Sequence, residues 1–146
     1  MKKILMLCTS LILLTGCSLL GEVNSSLDYA DTATSYVGTV KEFANEVPAL
    51  SKDAVTDKEA MKTLENELQT MKTEIEEFNE TEPPQIADGI HDKIVSSNQQ
   101  LQDGIDLYLK NMEDGTLNPA VLEDSEIMKT IDNITSLTNQ IEKLGN

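Results

Sequence analysis

From about residue 25 onward, apolar residues recur at steps of three and four, the spacing that lines one face of an α-helix. Ser25 or Ser26 can cap a first helix whose stripe is Leu27, Ala30, Ala33, Val37, Val40, Ala44 and Val47. Pro48 ends or kinks it, because proline lacks an amide hydrogen and disfavours helical geometry in the residue before it. Thr56-Asp57-Lys58-Glu59 fits a capping box that opens a second helix. Its stripe of Met61, Leu64, Leu68, Met71, Ile75 and Phe78 is the most regular in the chain. Pro83-Pro84 ends that helix and can open a third, with Ile86, Ile90, Ile94, Leu101, Ile105, Tyr108 and Met112, which stops near Asp114-Gly115. Asn118-Pro119 begins a short turn through Leu122. Ser125 then caps a fourth stripe of Ile127 or Met128, Ile131, Ile134, Leu137 or Thr138, Ile141 and Leu144, with Gly145 as its stop. No segment alternates with the period of a strand, and no internal repeat is present.

Four amphipathic helices joined by short connections predict an all-α, up-down-up-down four-helix bundle, since short loops force neighbours to run antiparallel. The second stripe spans too few heptads to argue for a free-standing coiled coil. The expected core is Val37, Val40, Leu64, Leu68, Met71, Ile75, Phe78, Ile90, Ile94, Leu101, Ile105, Ile131, Ile134 and Ile141. The competing arrangement is a three-helix bundle with the alanine-rich, threonine-interrupted first helix partly loose.

Ahead of this pattern lies a different one: Lys2 and Lys3, an apolar run from Ile4 to Leu14, and small residues leading to Cys17. This order is that of a secretion signal. The run is shorter than the roughly 20 residues a helix needs to cross a bilayer. Leu14-Thr15-Gly16-Cys17 resembles the bacterial lipobox, which implies cleavage after Gly16 and a diacylglyceryl thioether on Cys17. The resulting organisation is a cleaved signal over 1–16, a lipidated N-terminus and short tether over 17–24, and a bundle over 25–146. Two acyl chains anchor durably where one does not. Membrane lipid is thus the first expected partner, and the outer face of the cytoplasmic membrane the expected location.

Charge narrows the function classes. The chain has 26 acidic residues, all after the signal, and a net charge of −15, which becomes −17 once Lys2 and Lys3 are removed. Such a balance opposes nucleic acid and anionic headgroups, both of which need clustered cations, and favours basic partners or cations. Cys8 leaves with the signal and Cys17 takes lipid, so no disulfide, zinc thiolate or cysteine nucleophile remains. The few aromatics, Tyr29, Tyr36, Phe43, Phe78 and Tyr108, are too scattered for a sugar-stacking platform.

Little catalytic chemistry survives this inventory. His91 is the only histidine. It sits between Asp88 and Asp92, and the expectation is an exposed, solvated side chain, since two neighbouring ligands do not make a zinc centre. The acids fall on polar helix faces with no sign of the apolar pocket that a glycosidase acid requires. Aligning Gly115 with the glycine of an EF-hand puts Lys110 at the first ligand position, which excludes that calcium loop. Neither a catalytic residue nor a cofactor is expected. Glu74, Glu76, Glu77, Glu80 and Glu82 gather where the second helix ends, although its macrodipole disfavours acids there. They are the candidate patch for a basic envelope protein or for cations.

The segments Leu27-Asp28-Tyr29, Phe43-Ala44-Asn45-Glu46-Val47-Pro48, Met71-Lys72-Thr73-Glu74-Ile75-Glu76-Glu77-Phe78 and Glu82-Pro83-Pro84 give the whole chain a resemblance to a family of small lipoproteins from Gram-positive spore-forming bacteria. The resemblance implies a membrane-anchored cell-surface protein and carries over no activity. The leading expectation is a non-enzymatic binding or scaffolding module; the alternative is an accessory lipoprotein for a cation or small ligand.

Overall fold

The computed structural model describes residues 16–114, 119 and 126–143, with side chains from residue 25 onward. Four helices account for nearly all of this: α1 (Gly16–Asp53), α2 (Lys58–Asn79), α3 (Asp88–Glu113) and α4 (Glu126–Glu142). The signal before residue 16, the Gly115 stop, most of the turn after Asn118, the Ser125 cap and the Leu144-Gly145 ending lie outside the described residues.

Each helix packs on the next, and α4 closes the ring on α1. Contacts between neighbours run in opposite senses. Lys72 meets Asp106 and Asn79 meets Asn98 across α2 and α3. Gly104 faces Ile127, and Ser97 faces Asn133, across α3 and α4. The diagonal pair behaves differently: Tyr29 meets His91 and Tyr36 meets Asn98, both 62 residues apart, so α1 and α3 run parallel. Antiparallel neighbours and a parallel diagonal define the expected all-α up-down-up-down bundle.

Every helix buries a seam in the same rhythm. The seam runs through Tyr29, Ala33, Tyr36, Val40, Phe43 and Val47 in α1; Leu64, Leu68, Met71, Ile75 and Phe78 in α2; and Ile127, Ile131, Ile134, Thr138 and Ile141 in α4, with Val37, Thr130 and Leu137 buried beside it. In α3 the seam is His91, Ile94, Asn98, Leu101, Ile105 and Tyr108, preceded by the buried Ala87. Alternating steps of four and three keep one narrow stripe turned inward, the packing of helices that cross at shallow angles.

Several expectations are corrected. The first helix neither ends nor loosens where the sequence suggested. Backbone is already helical at Gly16, so α1 begins ahead of the Ser25 or Ser26 start and includes residues 17–24, and Pro48 lies inside the helix. Helix persists past Pro48 because Ser51 and Ala54 bury beyond the missing hydrogen bond as Val47 does before it, and Ser51 Oγ donates to Pro48 O at 2.8 Å. The α2 cap is Asp57 instead of Thr56. Thr56 N bonds back to Asp53 O in the turn leaving α1, which makes Asp57 the first extended residue, and its carboxylate accepts from Glu59 N at 2.8 Å. Ile86 is 62% exposed, since α3 starts two residues later at Asp88, and Leu27 also points outward. Ile90 is only partly buried, because His91 occupies the inward position beside it.

Candidate functional site

Two polar layers interrupt the apolar seam at the end of the bundle where α1 begins. In the first, the Tyr29 hydroxyl and His91 Nδ1 lie 2.8 Å apart, with the imidazole tautomer deciding which donates. In the second, the Tyr36 hydroxyl donates to Asn98 Oδ1 at 2.6 Å, and Asn98 Nδ2 donates to Asn79 Oδ1 at 2.7 Å. The layers are one heptad apart, about 10 Å along a helix. Phe78 joins them. It stacks on Tyr36 at 4.3 Å and 17°, and lies tilted against His91 at 5.4 Å and Tyr29 at 6.4 Å.

His91 was expected in solvent and is instead 6% exposed. The physical reason is register: a helix that turns Ile94, Leu101 and Ile105 inward by steps of three and four must also turn in the residues at 91 and 98. Burial lowers the affinity of His91 for a proton, against the pull of Asp92 and Asp88. Burial likewise pushes the Tyr29 hydroxyl up to about 12, with Asp88 adding to the effect. Tyr36 is driven higher still by burial, against its bond to Asn98.

Outside these layers lies a groove of about 510 Å³ between α1 and α2. Tyr36 and Phe78 form its floor, and Asp31, Glu74 and Glu77 are its acidic walls. Thr32 and Thr81 also line it; the Thr32 hydroxyl donates to the Asp28 carbonyl within α1, and that of Thr81, just past the end of α2, donates to the Glu77 carbonyl. The five glutamates expected to form one patch are therefore divided. At 100° per residue, Glu74 and Glu77 turn toward α1, whereas Glu76 turns toward α3 and accepts from Gln102 Nε2 at 3.3 Å. Glu80 and Glu82 are exposed beyond the groove. The sequence reading missed Asp31, which the groove adds from α1 through tertiary packing alone.

Among the described residues no Asp or Glu is buried, and no three His, Cys, Asp or Glu side chains are grouped to hold a metal. No described helix is long and apolar enough to cross a membrane. The backbone at Cys17 is helical, and its side chain lies outside the described residues.

The chain is similar to an uncharacterized lipoprotein of Bacillus subtilis (strain 168), YybP. The two are 40% identical over 130 residues, which is 89% of this chain and 88% of that protein. No solved structure matches it. A family model described as a family of unknown function (DUF6376) matches residues 29–144, beginning at Tyr29 and covering the bundle. A match across the whole bundle, together with this relative, shows that the chain belongs to that family.

Proposed function

We propose that the chain is a non-enzymatic binding module, fastened through a lipid on Cys17 to the outer face of the cytoplasmic membrane, whose α1–α2 groove engages a basic segment of an envelope protein. Support for the anchor comes from Leu14-Thr15-Gly16-Cys17 and from the lipoprotein name of the relative. The binding reading is carried by one observation, the convergence of Asp31, Glu74 and Glu77 from two helices around a groove with an aromatic floor. A lysine or arginine entering it would meet carboxylates on both sides and apolar ring carbon for its stem. Catalysis is not favoured, because His91 and Asn98 are tied to Tyr29 and Tyr36 and no described carboxylate is buried beside them.

The anchor is tested by labelled fatty acid. Incorporation is expected in the intact protein and should be absent in Cys17→Ala, which is then released to the medium. The groove is tested by calorimetry with an oligolysine peptide. Replacing Asp31, Glu74 and Glu77 by their amides should weaken binding far more than neutralising Glu59, Glu65 and Asp103 elsewhere on the surface. Equal weakening by both sets would reduce the interaction to net charge and end the groove reading.

A further inference from the structure

His91 is the only imidazole in the seam, held to Tyr29 across 2.8 Å, and the binding reading makes no use of it. We propose that His91 is an acid-sensitive lock between α1 and α3 at the end of the bundle from which α1 leads to Cys17: neutral, its ring holds Tyr29, and protonated, it lets this end of α1 loosen.

The chemistry is one of matched donors and acceptors. With the proton on Nε2, Nδ1 accepts from the Tyr29 hydroxyl across 2.8 Å. A second proton makes Nδ1 a donor too, so Tyr29 must turn its hydroxyl to accept, and the hydroxyl hydrogen loses its acceptor at a residue only 3% exposed. With the neutral proton on Nδ1, the added N–H falls on Nε2, which is not among the buried unpartnered atoms, so this route adds a charge to the ring but no buried unmet donor. Either route puts a charge on a ring packed in the seam, and the first also orphans the Tyr29 hydroxyl hydrogen.

The surroundings do little to compensate. On α3 itself Asp88 and Asp92 favour the charge, but both carboxylates are exposed and act through screening solvent. On α1 the facing group is Tyr29, and on α2 it is the uncharged Phe78, while Glu74 and Glu77 line the groove on its α1 side. At this end α4 carries Glu142, which accepts from Thr34 on α1, and Lys143, whose charge opposes another cation. The second layer contains no histidine, so the effect of acid is confined to the first.

The test is amide hydrogen exchange by NMR on the full chain, with the His91 ring proton followed in the same samples. As the pH falls below about 6.5, α1 amides around Tyr29 should exchange faster after correction for intrinsic rates, with the midpoint that the His91 ring proton reports, and the same scan on His91→Phe separates this step from carboxylate titration. His91→Phe should abolish that step. Tyr29→Phe, which keeps the ring and its packing, should shrink it, and provides the readout if His91→Phe does not fold. Exchange around Tyr29 that ignores pH in the intact protein, or a step of full size in either variant, would overturn the lock.

Discussion

A tyrosine hydroxyl inside a helical bundle helps only when something receives it, and this protein holds examples of both outcomes. Tyr36 has Asn98, whose amide in turn bonds Asn79. Asn98→Ala should therefore cost about 1–3 kcal/mol in urea unfolding, because it orphans the buried Tyr36 hydroxyl and the half-buried Asn79 amide at once. A double-mutant cycle with Tyr36→Phe should recover part of that loss. Tyr108 is fully buried, and its hydroxyl has only a loose approach to Ser51, whose own hydrogen goes to Pro48 O, so Tyr108→Phe is expected to be close to neutral in the same assay. Linkage gives signs at both ends of the pH scale. Burial depresses His91, so its contribution is present above its ordinary value of 6.5 and is lost as the pH falls through the lower folded-state value. Burial raises Tyr29 from 10.0 to about 12, so the bundle should lose stability as the pH climbs between those values, with tyrosinate absorbance rising alongside unfolding.

At the scale of the element, α1 and α3 show how packing overrides local preference. Pro48 costs α1 a backbone hydrogen bond, yet the helix continues to Asp53 because burial resumes beyond it. Pro48→Ala restores that donor and should raise the urea midpoint by an amount equivalent to about 1–3 kcal/mol. A result with no gain would mean that the proline ring itself packs against α4. The α3–α4 crossing is set by Gly104, where an added methyl would lie 2.7 Å from Ile127 Cγ1 and 2.9 Å from its Cδ1. Alanine favours helix over glycine by about 1 kcal/mol, but overpacking at this distance costs about 1–3 kcal/mol. Gly104→Ala should therefore destabilise, and trimming the neighbour with Ile127→Val should recover stability; a stabilised single variant would show that α4 shifts freely.

For the whole molecule, a net charge of −15, or −17 after removal of the signal, is spread over helix faces that pack together with few cations between them. Self-repulsion at this level weakens the compact state, and salt screens it. The unfolding midpoint should rise as ionic strength increases from about 0.02 M to about 0.5 M, and a flat response would place the stability wholly in the seam. The continuity of α1 down to Gly16 also bears on the anchor. The twelve residues from Cys17 to Tyr29 rise about 18 Å as a helix, so a lipid on Cys17 would hold the bundle on a short stalk with Tyr29 and His91 nearest the membrane. Distance measurements between a label near Cys17 and one on α3 should give a narrow distribution if that stalk is stiff.

The sequence by itself determined the helical class and the inward face of α2, and it favoured antiparallel neighbours through its short connections, while in α4 it left Ile127 open against Met128 and Leu137 against Thr138. It left α1 and α3 ambiguous, because each offers two overlapping stripes. Ile90 competes with His91, and Leu27 with Tyr29, and hydrophobicity alone selects the wrong member of each pair. Only the tertiary structure chose, because a seam is selected by the joint burial of four helices and not by the greasiness of one residue. The polar residues it turned inward are satisfied by partners 62 positions away. The groove has the same origin: Glu74 and Glu77 were visible as acids on α2, but Asp31 joins them only once α1 lies alongside.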